Sequence, residues 1–168
     1  MMIELWKDGK SIGMAEYEYI GNAKVLKIYA PILRSLIADA KKNGVDISIA
    51  KGIRTFIEQL DLRKRNVIDK TKVNDIIYLK TASPKLFNPE TGRPGFSNHG
   101  PGIAYDFNVT NPKGGTLPSY EWLVKNAFRY NKLVRTVPSE RWHWEFRLEA
   151  KDMFFKVPKD HFTWDKLV

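Results

Sequence analysis

Two short stretches, each holding a histidine and a carboxylate, most constrain how this 168-residue chain can fold. The first contains His99 and ends in Asp106, and the second begins with Glu140 and ends in His143. Two imidazoles and one carboxylate are a sufficient set of protein ligands for a catalytic Zn²⁺, which keeps a fourth position open for water. A second carboxylate beside that water can act as a general base. A metal site here requires a fold that brings both stretches to one cleft.

The first stretch has the local sequence of a loop that enters a strand. His99 lies between two glycine-containing segments, residues 95–97 and residues 100–102. Within the strand that follows, Ala104 and Asp106 share one face because successive side chains alternate. Small residues at Gly102 and Ala104 allow the backbone to approach a metal closely. We therefore expect Asp106 to point toward the metal from a strand, and His99 from the loop before it.

The second stretch places His143 at the start of another predicted strand, with Glu140 just upstream. If the two strands are antiparallel neighbours, the two histidines and two carboxylates converge. Either histidine alone is more simply explained as a core or surface residue without a metal. The joint spacing favours a zinc site, and with it a zinc hydrolase.

Composition limits the chemistry of such a site. The chain has no cysteine, which excludes thiolate zinc sites, disulfides and cysteine nucleophiles, so any metal must take nitrogen and oxygen ligands. A length of 168 residues corresponds to about one domain. No repeat, linker or low-complexity tract divides the sequence. These features predict a single α+β domain.

Hydrophobic periodicity and turn residues predict the elements of the first half. They are two or three strands within residues 3–29, a helix from Pro31 to a stop at Asn43, an alternating strand over residues 45–50 and a helix up to about Asn66. The apolar side of that last helix is predicted to carry Phe56, Ile57 and Leu60. Residues 67–96 predict a long surface loop.

The second half alternates strands and one helix. Its predicted elements are a strand from Ile103 to Val109, a turn at residues 111–115, a helix from Ser119 to Asn131 and a strand from Trp142 to Leu148. Ser119 is predicted to be the N-cap of the helix, with four residues facing inward: Trp122, Leu123, Ala127 and Phe128. The last twenty residues, rich in Phe and Trp, are expected to pack back onto the domain. The predicted fold is a small antiparallel sheet that carries the zinc site, flanked by helices.

The combined pattern resembles one known family. Residues 97–106 read S-x-H-x-x-G-x-A-x-D and residues 140–143 read E-x-W-H. This pattern is similar to that of the zinc D-alanyl-D-alanine peptidases of VanY and VanX type, which cut peptidoglycan stem peptides and include related phage endolysins. A third segment, residues 52–59, resembles the family's G-x-R-[ST]-x-x-x-Q. The resemblance spans about residues 45–148, so residues 1–40 carry no matched motif and 41–168 form the predicted catalytic core.

The resemblance implies roles for the residues of the two main stretches. By that likeness, His99, Asp106 and His143 bind one Zn²⁺ per chain, and Glu140 is the catalytic base. The base takes a proton from water as the water attacks the scissile carbonyl and passes it to the leaving amine. Glu145 has two interpretations: a partner that orients an imidazole, or an exposed carboxylate.

The likeness also assigns three residues around the metal. It implies that Arg54 stabilises the oxyanion, and that Gln59 and Ser97 bind substrate. Taken alone, Arg54 fits a surface arginine, Gln59 fits a solvated helix residue and Ser97 fits the cap of a turn. Trp142 and Trp144 alternate with the histidine between them, so they are expected to pack on the opposite face of the strand.

The implied function is a zinc-dependent peptidase that hydrolyses peptidoglycan stem peptides. The Trp-His form of the second motif favours a D-alanyl-D-alanine carboxypeptidase, here expected in a phage or prophage setting. One alternative is an L-alanyl-D-glutamate-type endopeptidase, as in endolysins. The other is a basic, non-catalytic domain that binds the cell wall. Glu140 makes this alternative less favoured, because a site without catalytic activity needs no general base.

Charge and the N-terminus bear on partners and location. A formal net charge of +9 indicates a polyanionic partner, nucleic acid or cell wall. Known nucleic-acid motifs are absent, so no nucleic acid is expected. The first residues have no apolar run like a signal peptide, and no stretch of about 18 apolar residues predicts a membrane span. We expect synthesis in the cytoplasm and action on the wall after release or virion delivery. The oligomeric state is not predicted.

Overall fold

The computed structural model describes residues 1–65 and 93–147. In these ranges two antiparallel sheets and three α-helices surround a shared hydrophobic core. The elements are, in chain order, β1 (Met2–Lys7), β2 (Lys10–Ile20), β3 (Ala23–Leu26), α1 (Ala30–Lys42), β4 (Ile49–Lys51), α2 (Phe56–Arg65), β5 (Ala104–Phe107), α3 (Pro118–Asn126), a 3-10 turn (Ala127–Arg129), β6 (Leu133–Arg135) and β7 (His143–Phe146). The predicted α+β class is confirmed.

The N-terminal sheet has the order β1-β2-β3 and confirms the strands predicted for residues 3–29. Its first turn is Asp8-Gly9, where both residues have positive φ, 50° and 75°. Asp-Gly is a preferred pair for a tight hairpin because both positions need left-handed backbone. Ile3, Leu5 and Ile12 alternate with polar residues and point into the core. These residues belong to the hydrophobic core that the two sheets share.

Helix α1 confirms its prediction. Leu33, Leu36 and Ala40 are fully buried at helical spacing, and Pro31 lies in the first turn, where a missing N–H costs nothing. The helix ends as predicted, since Gly44 has φ of 74° and the N–H of Val45 returns to the Ala40 carbonyl. Burial of this apolar face joins the helix to the core beneath both sheets.

The second sheet has the order β4-β5-β7-β6, with every pair antiparallel. Its two central strands carry the two sequence stretches discussed above. Asp106 on β5 lies directly opposite His143 on β7, and on its other side it lies opposite Lys51 on β4. Stretches that are far apart in sequence are therefore hydrogen-bonded neighbours, as the convergence of the four groups required.

Hydrogen bonds to backbone groups of β3 connect the N-terminal sheet to the second sheet and its loops. The N–H of Ile53 donates to the Lys24 carbonyl at 2.8 Å. The buried Tyr105 hydroxyl accepts from the N–H of Leu26 at 3.3 Å and donates to the Gly102 carbonyl at 2.8 Å. Burial raises the pKa of Tyr105 far above its usual range, so the phenol stays neutral. These bonds connect β3 to the loop that carries His99.

The apolar side predicted for α2 is wrong at Ile57, while Phe56 and Leu60 are half-buried. The buried residues of this helix are Gln59 and Arg63, whereas Ile57 is 60% exposed. Counting apolar residues fails here because Gln59 is buried by a polar contact, described below. Strand β4 is also shorter than predicted and begins at Ile49 rather than at residue 45.

The helix of the second half differs from its prediction in its cap and its end. Leu117 is the N-cap residue, and the Ser119 hydroxyl instead donates to the Asn108 carbonyl at 2.9 Å. Helix α3 ends at Asn126 and gives way to a 3-10 turn, which leaves Phe128 65% exposed rather than inward. Trp122, Leu123 and Ala127 are buried as predicted.

Several predictions lie outside the described residues. These are most of the surface loop over residues 67–96, the end of the last strand at Leu148 and the packing of the last twenty residues. Within the two described ranges, none of the helices combines the length and the apolar character that crossing a membrane would require.

Candidate metal centre

Three side chains with metal-ligating atoms converge at the ends of β5 and β7. His99, Asp106 and His143 each offer one ligand atom, and these atoms lie within 4.8 Å of one another. The Asp106 Oδ1 atom is 3.2 Å from Nε2 of His99 and 3.1 Å from Nδ1 of His143. All three residues are buried. The structure therefore brings together the three residues that the sequence predicted as ligands.

The loop that carries His99 is held in place by backbone contacts. The N–H of Arg54 donates to the His99 carbonyl at 3.1 Å, and the Ser97 hydroxyl accepts from the N–H of His99 at 3.3 Å. Gly100 lies against the backbone of Trp6, where an added Cβ would come within 2.5 Å of the Trp6 carbonyl oxygen. A larger residue at this position would push the loop, and His99 with it, away from the sheet.

The outward nitrogen of each histidine ring also has a partner. Nδ1 of His99 donates to the Gly52 carbonyl at 2.8 Å. Nε2 of His143 is 2.9 Å from Oε1 of Glu145, which accepts a second hydrogen bond from the Asn98 amide at 2.8 Å. Ligating histidines are commonly held in this way, because a bond at one ring nitrogen fixes the tautomer and leaves the other free. His99 thus offers Nε2 to a metal, and His143 offers Nδ1.

The pKa values of these groups reflect the same contacts. Burial raises the pKa of Asp106, but hydrogen bonds from His143 and His99 outweigh it and hold the pKa well below its usual range. Burial lowers the pKa of His143, but hydrogen bonds to Asp106 and Glu145 outweigh it and raise the pKa to about 9. Burial of Glu145 is likewise outweighed by bonds from His143 and Asn98, and its pKa falls to about 2. The carboxylates of Asp106 and Glu145 thus stabilise a positive charge on the His143 ring that lies between them.

Glu140 lies at the edge of this cluster. Its Oε2 atom is 3.8 Å from Nδ1 of His143, and its side chain is 23% exposed. The backbone fixes its position, since its N–H donates to the Val137 carbonyl and its own carbonyl accepts from the N–H of His143. Glu140 is therefore beside the ligand atoms and open to solvent, which is where a general base for an attacking water must lie.

Arg54 is brought to the site by the junction between β4 and α2. Gly52 allows β4 to pass close to β3, because an added Cβ there would lie 1.9 Å from the Lys24 carbonyl oxygen. Helix α2 then begins with a capping box, in which the N–H of Thr55 donates to the Glu58 carboxylate at 2.8 Å and the Thr55 hydroxyl accepts from the N–H of Glu58 at 3.2 Å. The last residue before this helix start is Arg54.

The Arg54 side chain is fixed by Gln59. Nη1 of the guanidinium donates to Oε1 of Gln59 at 2.7 Å, and Gln59 itself is only 2% exposed. Burial lowers the pKa of Arg54, while the nearby carboxylates of Asp106, Glu58 and Glu140 oppose that shift. The guanidinium is thus a fixed positive charge near the metal ligands. Gln59 contacts the arginine; its predicted role in binding substrate stays a prediction, as does that of Ser97.

Two clefts flank the centre, and we name each by a residue that lines it. The Arg54 cleft, of about 260 Å³, is also lined by Lys24, Lys51, Glu58 and Arg65. The Trp142 cleft, of about 230 Å³, is also lined by Lys51, Asp106, Asn108 and Thr110. A larger groove of about 390 Å³ lies between β2 and α1 and contains none of the site residues. Within the part of the chain that the structure describes, these two clefts offer space for a substrate beside the centre.

One residue that supports this centre, Asn98, belongs to none of the predicted site residues, and another, Trp142, lies where strand alternation did not predict it. Asn98 supports Glu145, yet only its place next to His99 hinted at a role. Of the two interpretations of Glu145, the structure supports the imidazole partner, because this carboxylate is 4% exposed and contacts His143. Trp144 is buried as expected, but Trp142 is 39% exposed and lines a cleft.

With this geometry in hand, comparison with known proteins identifies the chain. Residues 22–149 match the model of the family described as VanY, D-alanyl-D-alanine carboxypeptidase. The chain belongs to the VanY family. A D-alanyl-D-alanine carboxypeptidase of Enterococcus faecalis is 25% identical over 141 residues, which cover 78% of this chain and 52% of that protein. The chain thus spans about half the length of this relative.

Solved structures of VanY proteins have the same fold. A VanY D,D-pentapeptidase from a VanB-type vancomycin resistance cassette, solved in complex with Zn(II), has a TM-score of 0.61 at 25% identity and covers 79% of this chain and 78% of its own. A second VanY structure, VanYB in complex with D-alanine-D-alanine, has a TM-score of 0.64 at 22% identity and covers 97% and 94%. The second likeness supports the fold alone.

Proposed function

We propose that this chain is a zinc-dependent peptidase that hydrolyses peptidoglycan stem peptides, and specifically a D-alanyl-D-alanine carboxypeptidase. The observation that carries the proposal is the cluster of His99, Asp106 and His143, with Glu140 half-buried at its edge and 3.8 Å from His143. A purely structural metal site has four protein ligands and no open position. Membership of the VanY family supports the choice of substrate.

The residues present fit Zn²⁺. Nε2 of His99, the Asp106 carboxylate and Nδ1 of His143 are nitrogen and oxygen donors of the kinds that zinc binds, and the second ring nitrogen of each histidine already has a hydrogen-bond partner. When bound, zinc supplies a Lewis acid that lowers the pKa of a ligated water and polarises a carbonyl group. The zinc complex of the related VanY pentapeptidase supports the choice of metal.

Two residues of the chain perform the remaining chemistry in this proposal. Glu140 takes a proton from the water that attacks the scissile carbonyl and delivers it to the leaving amine. Arg54, held by Gln59, provides a fixed positive charge for the carbonyl oxygen as that oxygen becomes negative. No serine or cysteine nucleophile is needed, so no acyl-enzyme forms.

The proposal has a direct test. Purified sacculi are digested with the zinc-loaded protein, with and without a chelator, and new peptide ends are identified by mass spectrometry. Release of free D-alanine that stops with chelator is expected. Cleavage between L-alanine and D-glutamate would indicate an endopeptidase, and binding without cleavage would indicate a wall-binding domain. Glu140→Gln protein is the control, because it keeps the three ligands and removes the base.

A further inference from the structure

A bulge in β4 places a lysine beside the metal ligands. Ile49 lies opposite Phe107, but Lys51 lies opposite Asp106, so two residues of β4 match one of β5. Without the bulge, Lys51 would share the inward face of Ile49, because residues two apart point the same way. The extra residue, Ala50, moves Lys51 to the face of Asp106. Bulges next to active sites often redirect a side chain in this manner.

Lys51 therefore belongs to a row of three residues across the sheet. It lies opposite Asp106, which in turn lies opposite His143, and directly opposite residues project from the same face. Lys51 is exposed and lines both flanking clefts. An ammonium group at this position faces any ligand that crosses the metal centre from one cleft to the other.

The other cations of the Arg54 cleft are less available. Lys24 is in an ion pair with Glu58 at 2.5 Å, and Arg54 donates to Gln59. Arg65 is exposed but lies at the far end of α2. Within residues 1–65 and 93–147, Lys51 takes part in none of the ion pairs. Among these residues its charge is thus available to a ligand, and it lies next to the candidate metal ligand Asp106.

We infer that Lys51 is an anion-binding subsite that takes the C-terminal carboxylate of the peptide, an inference that rests on the proposed function. The carboxylate of a C-terminal residue is three covalent bonds of about 1.3–1.5 Å from the scissile carbonyl carbon. Opposite residues of antiparallel strands have Cα atoms about 4.5–5.5 Å apart. A lysine side chain that starts one strand away from Asp106 can therefore reach a carboxylate this close to the scissile bond.

The test compares binding of two peptides to two proteins. An N-acetylated peptide ending in D-Ala-D-Ala and its C-terminal amide are titrated by calorimetry into zinc-loaded Glu140→Gln protein, which should bind without turnover. The same titrations are made with Lys51→Gln added. We expect Lys51→Gln to weaken binding of the free acid about fivefold, the range of a partly exposed charge pair, and to leave the amide unchanged. Lys51→Arg should keep the preference for the acid.

Two matched controls separate this subsite from general charge. Lys41→Gln removes one exposed lysine from α1, outside both clefts, and Arg65→Gln removes a cation at the far end of the Arg54 cleft. Both should retain the preference for the acid. An unchanged preference in Lys51→Gln, or an equal loss in Arg65→Gln, would overturn the assignment. A loss that affects acid and amide equally would also overturn it.

The experiments give different results if the Lys51 subsite is wrong and if the proposed function is wrong. If the protein with Glu140 intact releases no D-alanine but the acid preference depends on Lys51, the proposed function fails and the subsite stands. If D-alanine is released and Lys51→Gln has the wild-type KM for the free acid, the subsite fails and the function stands. The difference between acid and amide should also shrink as salt rises, because exposed charges are screened.

Discussion

Glu145 is bonded to the nitrogen of His143 that faces away from Asp106, at a distance of 2.9 Å. The contact settles which ring nitrogen of His143 remains for a metal. Asn98, one residue before the other histidine ligand, holds the same carboxylate. The segments that carry His99 and His143 are thus connected twice. Asp106 contacts both histidine rings, and behind the rings Asn98 and His143 both contact Glu145.

The first prediction follows from this contact. Glu145→Gln should lower zinc affinity about 10- to 100-fold, because an amide is a weaker acceptor and no longer favours one tautomer of His143. Competition with a chromogenic chelator measures the affinity, and circular dichroism checks the fold. Glu121→Gln, an exposed change on α3, is the control. Wild-type affinity in Glu145→Gln would show that the contact does not orient the ligand.

The second prediction concerns the ligands themselves. The purified protein should contain about one zinc per chain, and His99→Ala should lose most of it, since two protein ligands hold zinc poorly. Elemental analysis after dialysis gives the content. His161→Ala is the matched control, because this third histidine lies outside every motif. Full occupancy in His99→Ala would mean that the ligand set is wrong.

The third prediction separates the base from the ligands. Glu140→Ala should keep its zinc and its fold but lose about 10²- to 10⁴-fold in turnover, the usual contribution of a general base. D-alanine release and zinc content are measured on the same sample. Substantial activity would contradict the mechanism. Loss of zinc would make Glu140 a ligand instead.

The fourth prediction concerns Arg54. Arg54→Lys should lower kcat more than it raises KM, because lysine keeps the charge but loses the planar group that Gln59 holds in place. Gln59→Ala should act in the same direction and more weakly, since it frees the guanidinium without removing it. Steady-state kinetics on a D-Ala-D-Ala peptide distinguish the two parameters. An effect confined to KM would assign Arg54 to binding of the ground state.

The fifth prediction is a pH dependence of zinc binding. In the metal-free protein, bonds to Asp106 and Glu145 outweigh burial and raise the pKa of His143 to about 9. Zinc must displace this proton, so affinity should rise about tenfold per pH unit between about 7 and 9 and then level off. Calorimetry in two buffers of different ionisation enthalpy should show about one proton released per zinc at pH 7.

The same shift predicts the stability of the metal-free protein. The folded pKa of His143 lies above the ordinary value of 6.5, so its contribution is fully present below pH 6.5 and is lost as the pH rises to about 9. The melting temperature of the metal-free protein should fall over this window. That of zinc-loaded protein should not, because the ring is then already deprotonated. A flat profile in the metal-free protein would contradict the assigned contacts.

The convergence of the three candidate ligands was predictable because motif spacing and strand alternation act over a few residues. His99, Asp106 and His143 are each placed by their own neighbours, and a pattern of ten residues suffices for the first two. The convergence with the second stretch needed only that two short strands be adjacent. Helix α1 was predictable for the same reason, since its apolar residues repeat locally.

Other features depend on contacts that no local pattern contains. Gln59 is buried because it accepts from Arg54, so the inward face of α2 is polar where hydrophobic periodicity expects apolar residues. Ser119 has the residue type of a helix cap, but its hydroxyl donates to the carbonyl of Asn108, eleven residues earlier. The bulge that turns Lys51 toward Asp106 depends on the pairing of β4 with β5, and no pattern in residues 49–51 predicts it.

The N-terminal hairpin has one further consequence. Gly9 and Gly95 lie against each other, with an added Cβ on Gly95 only 2.9 Å from the Cα atom of Gly9, and the N–H of Gly9 donates to the Gly95 carbonyl. A side chain at position 95 would require Gly9 to move, and a side chain at position 9 would come within 2.8 Å of the Phe96 ring. Residues 1–21 lie outside the match to the VanY family, yet this pair joins them to the segment that leads into His99. Homologues with a different N-terminus should therefore also differ around residue 95.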